Sequence, residues 1–89
     1  MFNFSLDPLK WGRGLTVGTT EINDYTIDTC DTMDSGFETA IKKGIGNWIV
    51  VEYYTSYYEA KKGHERWRKF CERNPKYVFS VQMEQTERF

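Results

Sequence analysis

The residues that could do chemistry in this chain are few and scattered. Its single histidine, His64, is a side chain that can act as acid, base or ligand near neutral pH. A cysteine nucleophile would need Cys30 or Cys71 beside that imidazole, and neither cysteine is flanked by a local signature of a cysteine hydrolase. Glu38 and Glu52 could form a carboxylate pair for glycoside chemistry, but both read equally well as exposed strand residues. Asp28, Asp31 and Asp34 recur every third residue, which is not the alternate-residue spacing of a calcium loop. One histidine and two distant cysteines do not make a zinc motif. The residue types assign no catalytic group, no metal and no cofactor, and the chain reads as a non-enzyme.

Anion chemistry is better represented. Lys61, Lys62, Arg66, Arg68, Lys69 and Arg73 crowd one segment and offer guanidinium forks and ammonium point charges to phosphate. Tyr53, Tyr54, Tyr57, Tyr58 and Trp48 could stack a nucleobase beside them. We take Arg66, Lys69, Arg73, Lys62, Tyr57, Tyr58 and Tyr54 as the candidate ligand-binding set. The same residues also read as a solvated basic face over a packed aromatic core. His64, Glu38, Thr39 and Trp48 form a second, structural set that could line a pocket. A histidine on the buried face of a helix reads first as a packed, hydrogen-bonded residue, with Glu38 and Thr39 as its possible strand partners.

The elements that must position these groups follow from the hydrophobic pattern. Met1 to Gly14 is an aromatic arm, with Asp7-Pro8 able to start a short turn of helix. Leu15 to Val17 reads as a short strand and Gly18 to Asp24 as loop. Tyr25 to Thr32 alternates and is rich in Thr, Ile and Tyr, so a strand is expected. Met33-Asp34-Ser35-Gly36 is a turn and Phe37 to Lys42 the returning strand. Lys43 to Asn47 is a second turn, whose glycines serve backbone angles rather than a phosphate loop. Trp48 to Tyr54 is apolar on both parities, which suggests a strand covered on both faces. One helix can cover one face; the arm or another subunit would cover the second, so a homo-oligomer is expected.

Ser56 and Glu59 match a capping box. At about 100° per residue, Ala60, Gly63, His64, Trp67, Phe70 and Cys71 share one face of the helix that follows. Gly63 on that face would let the helix approach the sheet. Asn74-Pro75 ends the helix, and Tyr77 to Met83 alternates as a last strand. The expected fold is α+β: a small antiparallel-rich sheet in the order β-β-β-α-β with one amphipathic helix packed on it. It forms one domain over residues 1–89, with the arm at 1–14, the core at 15–83 and a tail at 84–89.

Composition bounds the rest. With 89 residues the chain is a single small domain whose core is limited, partly offset by three Trp, six Tyr and six Phe. No apolar run approaches the length of a membrane span, and the N-terminus lacks the pattern of a signal peptide, so a cytoplasmic protein is expected. Two cysteines suit buried reduced thiols, with a Cys30 to Cys71 bridge as the alternative. The net charge of −1 hides segregation. Glu21, Asp24, Asp28, Asp31, Asp34 and Glu38 fall between Leu15 and Ala40, a stretch with no Lys or Arg, while the helix is basic. The overall balance argues against broad nucleic-acid binding.

Four short motifs fall across roughly residues 25 to 67: Phe37-Glu38-Thr39-Ala40-Ile41, then Trp48, Glu52-Tyr53 ahead of a Thr/Ser cap, and Glu59-Ala60-x-x-Gly63-His64. In these the middle of the chain resembles a group of small, functionally uncharacterised proteins of tailed bacteriophages and prophages. The Tyr57-Tyr58 pair, where the group commonly has acids, and the long arm depart from it. The resemblance implies a phage origin and a fold. Joined to the basic helix, it leads to an expected role in counter-defence or host takeover, with an oligomer sequestering a small phosphorylated or nucleotide-like signalling molecule of the host. The alternative is a protein–protein inhibitor that docks its acidic hairpin or aromatic arm on a host enzyme.

Overall fold

The computed structural model describes residues 15–32 and 36–80. Among them four strands and one helix occur: β1 (Thr16–Ile22), β2 (Tyr25–Asp31), β3 (Phe37–Lys43), β4 (Ile49–Tyr54) and α1 (Tyr57–Arg73). The strands form an antiparallel meander in the order β1-β2-β3-β4, and α1 packs across all four. The expected α+β class and helix-on-sheet packing hold, while the element order is β-β-β-β-α.

Two segments account for that difference. Gly18 to Asp24 is not loop, because Gly18 to Ile22 continues β1 in register with Thr29 to Tyr25. Gly18 disguised the strand: it lies at a break in register where His64 packs against the backbone, and a Cβ there would stand 3.3 Å from the imidazole. The two-residue turn Asn23-Asp24 closes the hairpin with φ of 51° and 71°, a left-handed pair that Asn and Asp tolerate. Tyr77 to Ser80 forms no strand, and 81–83 lie outside the described residues, as do the arm at 1–14, the tail at 84–89 and Met33 to Ser35. Tyr77 spends its N–H on Asn74 O (3.1 Å), and its carbonyl accepts from the Tyr25 hydroxyl, so these groups serve a turn rather than a ladder. Phe79 then packs against Tyr25, Trp67 and Phe70.

The helix starts where the capping pattern places it, with Ser56 Oγ accepting from Glu59 N at 3.1 Å. Its far end is fastened by the sheet. Asn23 Nδ2 donates to the carbonyls of Cys71 and Glu72 at 3.2 and 3.0 Å, satisfying acceptors that a helix end leaves open. The Tyr25 hydroxyl shares its one proton between the Tyr77 carbonyl and Asn74 O, which lies 2.8 Å away, and Lys43 Nζ donates to Pro75 O at 2.8 Å. The β1–β2 turn therefore fixes where the helix stops.

Beneath the C-terminal half of α1 the core is apolar: Tyr25, Ile27, Ile41, Ile49, Val51 and Cys71. Beneath its N-terminal half the sheet presents polar groups, and a bulge produces the change. Ala40 pairs with Val50 but Thr39 with Glu52, so Val51 is the extra residue of β4. Ile49 and Val51 face the helix on one parity, and Glu52 and Tyr54 on the other. On the face turned away from α1, Asp28, Cys30, Glu38 and Ala40 are also buried. Ahead of the bulge β4 is apolar on both faces: Ile49 and Val51 lie toward α1, and Val50 lies with Ala40 on the other face. Cys30 and Cys71 lie on opposite faces of the sheet and are not bridged.

Candidate functional site

Polar side chains under the first half of α1 form one continuous chain of hydrogen bonds across the whole sheet. Thr20 on β1 meets His64 Nε2 at 2.9 Å. His64 Nδ1 meets Thr29 on β2 at 2.7 Å, Thr29 meets Thr39 on β3 at 2.5 Å, and Thr39 meets the Tyr54 hydroxyl on β4 at 2.8 Å. Tyr54 donates to Glu52 Oε1 at 3.1 Å. Trp67 Nε1 donates to the same oxygen at 2.8 Å, and Arg66 Nη2 lies 3.1 and 3.0 Å from the two carboxylate oxygens.

The direction of this chain follows from counting protons. A carboxylate only accepts, and each hydroxyl has one proton to give. Tyr54 gives its proton to Glu52, so Thr39 must donate to Tyr54 and Thr29 to Thr39. Thr29 then accepts from His64, which places the imidazole proton on Nδ1 and leaves Nε2 to accept from Thr20. Burial holds the His64 pKa below its ordinary value of 6.5, against the pull of the Asp28 and Glu65 charges, so the neutral ring this pattern requires is the favoured form. Burial likewise raises the Tyr54 pKa far above that of a free phenol, keeping its hydroxyl a donor.

Close approach of helix and sheet makes the chain possible. A Cβ at Gly63 would lie 2.2 Å from Tyr54 Cε1 and from its hydroxyl oxygen, well inside contact distance. The expected role of Gly63 as the contact point holds. The placement of His64 among packed, hydrogen-bonded groups does too, although its partners are Thr20 and Thr29 rather than Glu38. Thr39 is one hydroxyl further along. Glu38, as its strand neighbour, points to the opposite face and is buried there. Thr20 and Thr29 were missed: nothing in their types separates them from other strand threonines, and Thr20 fell in a segment read as loop.

The basic residues separate into two rows on α1. Along the first, Arg68 is shared between Glu65 (2.7 Å) and Glu72 (3.3 Å), which depresses the Glu65 pKa, and Lys61 Nζ stands 5.8 Å from the Tyr57 ring centroid. The second row holds Lys62, Arg66, Lys69 and Arg73 at spacings of four, three and four, which a 3.6-residue turn stacks one above another. Tyr58 begins it one turn earlier, 66% exposed, with Lys62 Nζ 5.1 Å from its ring centroid. Lys62, Lys69 and Arg73 make no ion pair with any described residue, and Arg66 gives only Nη2 to Glu52.

Five of the seven expected ligand-binding residues therefore share this row: Tyr58, Lys62, Arg66, Lys69 and Arg73. Tyr57 is exposed on the neighbouring row and packs edge-on against Phe37. Tyr54 does not join them; it is 6% exposed and spends its hydroxyl inside the chain of hydrogen bonds. Trp48 lies at the other end of β4, about 20 Å along the strand, where Lys42 Nζ sits 5.0 Å from its ring centroid.

The remaining candidates are confined. Both His64 nitrogens are engaged by hydroxyls, and burial pushes the Cys71 thiol up to about 11, leaving it protonated at neutral pH. No three His, Cys, Asp or Glu side chains gather as a metal site among the described residues. The acidic residues are divided: Asp28 is 0% and Glu38 8% exposed, Glu21 and Asp24 are exposed, and Asp34 lies outside the described residues. Comparison with protein-family models, with curated proteins and with solved structures finds no match.

Proposed function

We propose that this chain is a non-catalytic binding protein that holds a phosphorylated, nucleotide-like molecule against the outer row of α1. One observation carries the reading. Lys62, Arg66, Lys69 and Arg73 stack along one solvent-facing stripe, and three of them are unpaired among the described residues. Cations left without acids are available to phosphate oxygens, and Tyr58 supplies an exposed ring face at the end of the row. The non-catalytic part rests on His64 and Cys71, whose reactive atoms are occupied or protonated inside the packing.

The resemblance to tailed-phage proteins supplies the setting: an accessory protein acting in the host cytoplasm on a host signalling nucleotide. Among the described residues no helix is long and apolar enough to cross a membrane. Binding of the acidic half to a host enzyme is the weaker reading, because two of its acids are buried.

Thermal unfolding against AMP, ATP, a cyclic dinucleotide, a short oligothymidylate and inorganic phosphate tests the proposal. A ligand of the folded state raises the midpoint with concentration by mass action. Stabilisation that vanishes in K69E/R73E is the expected result. No shift with any of these probes, with no heat of binding by calorimetry, would refute it.

A further inference from the structure

We infer that the ligand of this face is an extended chain of phosphates, a single-stranded oligonucleotide, rather than a mononucleotide. The inference rests on the binding role proposed for the α1 row and deepens it. It comes from the length of the row. Lys62 and Arg73 are eleven residues apart, which at about 1.5 Å per residue is roughly 16 Å. The cations stand about one per turn, close to 5.4 Å. The phosphates of a mononucleotide are contiguous and reach two neighbouring cations at most. A strand rising about 3.4 Å per nucleotide would cover the row with roughly five nucleotides, within the site sizes of single-strand binding surfaces.

The chemistry along the row suits such a strand. Arg66 is held by Glu52 through Nη2 alone, so its Nη1 and Nε donors are left, singly, for phosphate oxygens. Lys69 and Arg73 follow on the same stripe, and Glu65 and Glu72 beside them are already engaged by Arg68. Tyr58, with Lys62 against its ring, offers a platform on which one base can stack at the strand's end. The net charge of −1 does not describe this face, because Asp28 and Glu38 are buried on the far side of the sheet. No sequence preference is implied, since point charges and one aromatic ring read backbone and stacking rather than base edges.

Fluorescence anisotropy with labelled oligothymidylates of one to eight nucleotides, at several salt concentrations, tests this. Affinity should rise with each added nucleotide to about five and then level. Each phosphate neutralised contributes about −0.7 to the slope of log K against log salt for a single strand. K69Q/R73Q should therefore make the slope shallower by about 1.4. Both residues are exposed, and circular dichroism checks that the variant is folded. If a mononucleotide binds as tightly as the five-mer, or a duplex of equal length binds more tightly, the inference fails while phosphate binding by the row stands. A slope unchanged in K69Q/R73Q overturns the placement on α1 and with it the proposed function. If no phosphorylated probe binds, both are refuted.

Discussion

Gly63→Ala should reverse the usual sign of a glycine-to-alanine change in a helix. On an open helix face, alanine stabilises by about 1 kcal/mol through backbone entropy. Here the new methyl would fall 2.2 Å from Tyr54 Cε1 and hydroxyl oxygen. The ring is the end of a side chain, but it is 6% exposed and anchored to Thr39 and Glu52. It therefore yields only by lifting the helix or breaking those bonds. Overpacking of this kind costs about 1–3 kcal/mol, and each buried partner left unsatisfied adds about 1–3 kcal/mol. Against the intrinsic gain, a net loss of about 2–4 kcal/mol is expected.

Urea unfolding followed by circular dichroism measures this, with an unchanged m-value showing that stability alone has moved. A second substitution identifies the cause. In a Tyr54→Ala background the ring is gone, and Gly63→Ala should then stabilise by about 1 kcal/mol, its propensity value. The sign change is the coupling between the two positions. A G63A protein as stable as the original would refute the close approach, and a G63A loss that persists in Y54A would refute Tyr54 as its cause.

Other outcomes follow from the same packing. The His64 pKa lies below 6.5 in the folded chain, so between the two values the unfolded chain binds more protons; stability is full above pH 6.5, declines as pH falls through the folded value, and this decline should be absent in His64→Gln. Nitrogen NMR of the imidazole above pH 7 should show Nδ1 protonated and Nε2 bare; the opposite tautomer would refute the direction assigned to the hydrogen-bond chain. Thr29→Val removes a hydroxyl that both donates and accepts, and should cost about 1–3 kcal/mol in a urea titration. A thiol reagent should label Cys30 and Cys71 only as fast as the chain opens, since both are buried and burial lifts the Cys71 thiol to about 11; rapid native labelling would contradict that packing.

The parts of this fold legible in the sequence are those decided locally. Strand alternation in Tyr25 to Asp31 and Phe37 to Lys43 depends on neighbours two residues apart, and the helix from Ser56 depends on a cap and a 3.6-residue period. What failed depended on distant partners. Gly18 reads as a strand breaker until His64, 46 positions on, is seen lying against it. Tyr77 to Ser80 has the pattern of a strand, but its first backbone groups are claimed by Asn74 and Tyr25. The one-residue bulge at Val51 brings Glu52 and Tyr54 to the helix side with Ile49 and Val51, and a bulge has no composition of its own.

That bulge also organises the division between packing and binding. By turning Glu52 toward α1, it gives the hydrogen-bond chain a carboxylate terminus, and the same carboxylate holds Arg66 by one edge at the middle of the outer row. Without the bulge, Glu52 would face away from the helix and Tyr53 would replace Tyr54 beneath Gly63. The neutral chain would lose its fixed acceptor, and Arg66 would lose the contact that orients it. The sequence motif Glu52-Tyr53 ahead of the cap and the Gly63-His64 pair on the helix are therefore one device seen at two places. Tyr54 and Glu52 set the distance and the polarity of the contact; Gly63 and His64 accept it. The structural residues fix the helix's rotation over the sheet, and that rotation is what turns Lys62, Arg66, Lys69 and Arg73 outward together.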